Sequence, residues 1–83
     1  MEIKKGTILK CIDDSNYDSF TKGNIYLVAK DLDEDFVWLQ DDYGFVGWLM
    51  YDSIKSNFID VTPNEIKQLI FRLEKHYEKH YRN

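Results

Sequence analysis

The sequence predicts a mainly β (α+β) domain: a five-stranded antiparallel barrel followed by a C-terminal amphipathic helix. Three observations carry this reading. Short β-branched and aromatic runs alternate with Gly, Asn and Asp clusters through residues 1–61. A helix-start signal stands at Thr62-Pro63-Asn64-Glu65. Apolar residues then recur at helical spacing as far as Tyr81. The 83 residues are read as one domain, 1–83, with the barrel over 1–61 and the helix over 62–82 packed on it.

The strands are placed in order. Thr7 to Ile12 is β-branched and apolar, opened by Gly6 and closed by the turn-prone Asp13-Asp14-Ser15-Asn16. Asp13 to Lys22 is the one long loop, and Tyr17 and Phe20 are expected to tack it onto the body. Ile25 to Ala29 follows a turn at Lys22-Gly23-Asn24. The charged segment Lys30 to Asp35 reads as a hairpin loop, and Phe36 to Gln40 as the third strand. Asp41-Asp42-Tyr43-Gly44 reads as a tight turn, with Gly44 free to take positive φ. Phe45 to Met50 is the fourth strand and Phe58 to Val61 the fifth. Tyr51 to Lys55, between them, is short enough to expect a 3₁₀ turn.

The helix has a capping-box pattern, with Thr62 as N-cap, Pro63 at the first helical position and Glu65 reaching back to the Thr62 amide. Ile66, Leu69, Ile70, Leu73, Tyr77 and Tyr81 form one stripe, expected to pack on the barrel. Phe71 falls on the opposite side, where a large apolar residue suits a contact with a partner or a second copy.

Composition narrows the function classes. Apolar residues make up 43% of the chain and aromatics 16%, enough for a packed core. No run of about 18 apolar residues is present, and no apolar signal segment follows Met1 to Gly6. Cys11 is the single cysteine, so no internal disulfide forms; a buried, reduced thiol and a reducing cytoplasm are expected. Residues 1–62 carry six lysines, no arginine and twelve acids, while residues 63–83 carry five bases and three acids. An acidic body repels phosphate and favours a basic partner.

Catalytic and metal chemistry find little support. His76 and His80 stand four apart, but no third histidine completes a zinc site. Asp31, Asp33, Glu34 and Asp35 lack the central glycine and late glutamate of a calcium loop. There is no nucleophile elbow and no glycine-rich phosphate loop. The expectation is therefore no enzyme, no metal and no cofactor.

Three segments carry a resemblance. Lys5-Gly6-Thr7-Ile8-Leu9-Lys10-Cys11-Ile12, Thr21-Lys22-Gly23-Asn24-Ile25-Tyr26-Leu27-Val28, and Gly44-Phe45-Val46-Gly47-Trp48-Leu49 followed by Ile54 resemble the successive strands of SH3-like barrels, over roughly Lys4 to Val61. The last is similar to the GxxGW segment of bacterial SH3 domains. The whole pattern also looks like small proteins of phages and prophages of low-GC Gram-positive bacteria, with which the Lys-, Asn-, Ile- and Asp-rich composition agrees. The ALYDY opening of eukaryotic SH3 domains is absent, and Tyr51-Asp52-Ser53-Ile54 stands where their PxNY lies, so a proline-peptide groove is not implied.

What remains is a binding module. Phe36, Trp38 and Gln40 alternate with Val37 and Leu39, and Phe45, Gly47 and Leu49 with Val46, Trp48 and Met50. Apolar residues thus occupy both faces of these strands, and some face outward. The candidate partner-binding residues are Asp33, Glu34, Asp35, Trp38, Asp41, Asp42, Tyr43, Trp48, Tyr51 and Phe71. The resemblance implies a phage-type protein, cytoplasmic in its bacterial host, that docks on a basic host protein and modulates it. A structural, homodimeric phage component is the alternative. Nucleic-acid binding by Lys75, Lys79, Tyr81 and Arg82 is a weaker one.

Overall fold

Two antiparallel sheets and two helices make up the computed structural model, which describes residues 1–70 and 72. The elements run β1 (Ile8–Cys11), β2 (Ile25–Leu27), β3 (Phe36–Gln40), β4 (Val46–Met50), α1 (Tyr51–Asn57) and β5 (Phe58–Asp60). A second helix, α2, covers 64–70 and includes Arg72. One sheet has the order β2-β1-β5; the other is the hairpin β3-β4.

The five expected strands are present, but no closed barrel forms among the described residues. A single bridge, Val28 to Leu39, joins the sheets. Two local causes keep them apart. β2 is only three residues long, so Val28 alone reaches across to β3. α1 fills the passage between β4 and β5, with Ile54 fully buried beneath it. The expected 3₁₀ turn is thus corrected to a two-turn α-helix, which continues to Asn57 and ends where the Phe58 amide bonds back to the Ile54 carbonyl.

Strand alternation sets the core. Leu9, Cys11, Tyr26, Val28, Val37 and Leu39 point inward and are buried, as are Ile54 and Phe58. The long loop is held by aromatic rings, as the sequence predicts. Phe20 packs edge-to-face on Tyr26 (4.9 Å) and on Phe58 (5.7 Å), and Tyr17 packs on Phe20 (5.6 Å). Such pairs add about 0.5–1.5 kcal/mol each beyond the area they bury. The Asn57 amide donates to the Tyr17 hydroxyl at 3.0 Å, pinning the loop to the end of α1.

The β3–β4 turn is as read. Gly44 takes φ 86°, its amide donates to the Asp41 carbonyl, and the Asp41 amide donates to the Phe45 carbonyl. This is the three-residue hairpin in which the last loop residue must be left-handed. The turn before β3 is tighter: Asp33 and Phe36 exchange both backbone bonds, and Glu34 sits at φ 53°. A residue with a β-carbon is disfavoured there.

The start of α2 departs from the expected capping box. The Thr62 hydroxyl accepts from the Ile8 amide (2.8 Å) and donates to the Ile8 carbonyl (3.3 Å), so it closes the end of β1. The Thr62 amide donates to the Asp60 carboxylate at 2.9 Å, leaving nothing for Glu65 to satisfy. Pro63 supplies the first helical carbonyl, accepting from Ile66 and Lys67. Of the predicted stripe, Ile66 and Ile70 are half-buried and Leu69 is exposed. Ile70 lies against Gly6, where an added β-carbon would sit 3.3 Å from its terminal carbon. Leu73, Tyr77 and Tyr81 lie outside the described residues.

Two substitutions check this account by chemical denaturation. Glu34→Gly should raise stability by up to about 1 kcal/mol, by relieving the left-handed backbone. Phe58→Ala should lower it by about 3–5 kcal/mol, since one ring holds β5 and both loop aromatics.

Candidate functional site

The β3–β4 hairpin turns an apolar face outward. Its register pairs Phe36 with Met50, Trp38 with Trp48 and Gln40 with Val46, which puts these six side chains on one face. Their neighbours Val37 and Leu39 face the core. Trp48 is 52% exposed, with its ring edge-to-face on Phe36 at 4.8 Å. Trp38 is half-buried beneath the Lys30 ammonium, 4.3 Å from the ring centre. Its indole N–H is buried with no acceptor among the described residues. At the tip of the hairpin, Tyr43 and Phe45 are 71% and 72% exposed.

The candidate residues divide by role. Trp38, Trp48 and Tyr43 come together on the outer face and tip. Tyr51 stands apart at the start of α1, its hydroxyl donating to the Met1 carbonyl at 2.6 Å and Lys55 lying 4.9 Å over its ring. Phe71 lies outside the described residues, as do Lys75, His76, Lys79, His80 and Arg82. Phe36, Val46 and Met50 belong to the face, and Phe45 to the hairpin tip, but all four were absent from the candidates. Working out the hairpin register from the Asp41-to-Phe45 turn would have placed Phe36, Val46 and Met50 beside Trp48.

The acids also divide. Asp33, Glu34 and Asp35 are exposed, and their carboxylates have no partner among the described residues. They lie at the end of the face nearest Met50, where the Asp35 carbonyl accepts from the Tyr51 amide at 2.8 Å. The Asp41 carboxylate caps its own turn, accepting from the Tyr43 and Phe45 amides. The Asp42 carboxylate is engaged inward. It accepts from the Tyr26 hydroxyl at 2.6 Å and the Thr21 hydroxyl at 2.7 Å, while its amide donates to the Ser19 carbonyl.

These bonds shift the groups. The Tyr26 and Thr21 hydroxyls hold the Asp42 carboxyl below the usual carboxylate range. Burial, and then the bond to Asp42, push the Tyr26 phenol above its ordinary value. Partial burial pushes Asp60 up, but bonds from Thr62 and the nearby Lys67 ammonium outweigh it and leave the carboxyl lowered. Cys11 is fully buried, and desolvation raises its thiol, which disfavours the reactive thiolate.

Other surfaces offer less. The outer face of the three-stranded sheet exposes Ile25, Leu27 and Ile59, with Lys10 between Ile25 and Ile59 in the register. A shallow cleft of about 540 Å³ separates β2 from the β3–β4 turn and is lined by Ile25, Leu27, Gln40 and Asp42 among others. Among the described residues, no three His, Cys, Asp or Glu side chains are grouped to hold a metal, and no helix is long and apolar enough to cross a membrane. Comparison of the chain with protein-family models, curated proteins and solved structures gives no match.

The Tyr26–Asp42 pair contributes to both limbs of the expected pH profile, beside the lowered Asp13 and Asp60 on the acid side and the raised Cys11 on the alkaline side. Asp42 is lowered in the fold, so its contribution is present above the ordinary carboxylate value near pH ~4 and is lost as pH falls through the lowered one. Tyr26 is raised, so its contribution is complete below pH ~10 and is lost as pH rises through the raised value. Thermal melts across pH should show a plateau between the acid limb and the alkaline one, whose onset is set by the Cys11 thiol before the Tyr26 phenol. Asp42→Asn should flatten the acid limb relative to the wild-type chain.

Proposed function

We propose that this chain is a non-catalytic protein-binding module that docks through the outer face of its β3–β4 hairpin on a basic partner protein. One observation carries the reading. Trp48, Met50, Val46, Phe45 and Tyr43 are all more than two-fifths exposed and contiguous through one hairpin, beside the acids Asp33, Glu34 and Asp35, which have no partner among the described residues. Exposed aromatics flanked by charge have the composition of an interface centre and its rim. The acids steer a cationic partner and the rings hold it.

The finer reading of the fold is an SH3-like barrel of phage type, working in the cytoplasm of a Gram-positive host. The strand order β2-β1-β5 with a separate β3-β4 hairpin, the long loop between β1 and β2, and the short helix before β5 support it. The host protein it modulates is then the basic partner.

The test is retention of host protein on the tagged chain, at low and moderate salt, compared across variants. A single salt-sensitive protein should be held near stoichiometric yield. Trp48→Ala should lower its affinity by roughly tenfold or more, the range of an interface hot spot. Reversal of Asp33, Glu34 and Asp35 together to Lys should weaken binding and flatten its salt dependence. Retention unchanged by both variants overturns the reading.

A further inference from the structure

Building on the docking face just described, we propose that its partner is an extended segment that adds as an antiparallel strand to the free edge of β4, with an apolar centre and basic residues at both ends.

The hairpin register fixes which backbone groups are free. Asp41 bonds Phe45 at one end of the hairpin, and the Tyr51 amide donates to the Asp35 carbonyl at the other. Antiparallel residue pairs alternate between hydrogen-bonded and non-bonded. Leu39–Gly47 and Val37–Leu49 are therefore the bonded pairs, and Trp38–Trp48 is a non-bonded one. The Trp38 carbonyl agrees, since it turns away from β4 to accept from the Ala29 amide at 2.8 Å. It follows that the amides of Val46, Trp48 and Met50, and the carbonyls of Val46 and Trp48, point away from β3. None of these five groups has a partner among the described residues.

Such a row is a template for another strand. Natural edges are commonly blocked by Lys, Pro, a bulge or an inward charge. Val46-Gly47-Trp48-Leu49-Met50 has none of these. Gly47 is exposed, and no described residue lies within 4 Å of where its β-carbon would stand.

Side chains and charges specify the occupant. Residues of an added strand that lie across from Val46, Trp48 and Met50 share their outer face, where apolar side chains extend the patch. The strand ends meet acid. Asp41 and Asp42 begin one end, and Asp33, Glu34 and Asp35 flank the other. A second copy pairing its own β4 here would bring the same acids against one another, and residues 1–62 carry twice as many acids as bases. Charge therefore favours a cationic segment over self-pairing.

The test uses the full chain and a probe peptide of alternating valine and threonine, with two lysines at each end. Titration followed by amide hydrogen exchange should slow the Val46, Trp48 and Met50 amides by roughly tenfold or more. The same peptide with glutamates at its ends should bind more weakly at low salt. Val46→Pro removes an outward amide that the hairpin does not use, a place where edge strands tolerate proline. It should abolish the protection while Trp48 stays in place. As a check that does not alter the fold, N-methylating the peptide amides that face β4 should abolish binding, and methylating the alternate ones should not. Absence of protection at these three amides overturns the strand-addition proposal, as does binding unaffected by Val46→Pro and by either methylation. The docking face itself would still stand if a host protein is lost with Trp48→Ala. A concentration-dependent dimer in sedimentation, with the same amides protected, makes a second copy the occupant and overturns the cationic segment.

Discussion

The carboxylate of Asp42 joins three segments that are distant in the chain. It sits in the β3–β4 turn, yet it receives the hydroxyl of Tyr26 from β2 and that of Thr21 from the end of the long loop. The Thr21 amide in turn donates to the Tyr26 hydroxyl at 2.7 Å. Among the described residues, one isolated bridge joins the two sheets. This node therefore supplies a second tie between them, through the hydroxyl of the inward-facing Tyr26. A charge-assisted bond is roughly twice as strong as a neutral one. With the Tyr26 ring among the loop aromatics and its hydroxyl on Asp42, the apolar and polar ties share one side chain.

That arrangement explains how the β3–β4 hairpin holds together with no other described element on its outer side. Its inner side rests on Val37 and Leu39, its turn is fixed by Asp41 and Gly44, and its base is held by the Tyr51 amide on Asp35. No outer contact is needed to hold the strands in register. The rings of Phe36 and Trp48 support one another. Apolar surface is thus presented on a rigid frame, which limits the ordering entropy lost on association.

Much of the fold was legible from local chemistry. β3 begins and ends at the expected residues, Gly44 takes the expected positive φ, and Tyr17 and Phe20 hold the long loop as read. The first two depend on neighbouring residues alone, and the loop aromatics announce themselves by being apolar in a polar stretch. What was misread depends on distant ones. Thr62 has the sequence context of a helix cap, but its hydroxyl meets Ile8, more than fifty positions away, and strand closure wins over the cap. Tyr51 to Asn57 is too short to predict as a helix in isolation, and forms one because Ile54 finds a closed pocket. The candidate site behaved likewise. The alternation showed that apolar residues must face outward, but only the register placed Phe36 with Trp48 and gave Asp42 an internal partner.

The lone cysteine has a use of its own. Cys11 sits at the end of β1, opposite Phe58 of β5, with no exposed surface. A thiol reagent in solution reaches it only in molecules where the core around it has opened. Its rate of modification is therefore a clock for that opening, read from the unaltered chain without an added label.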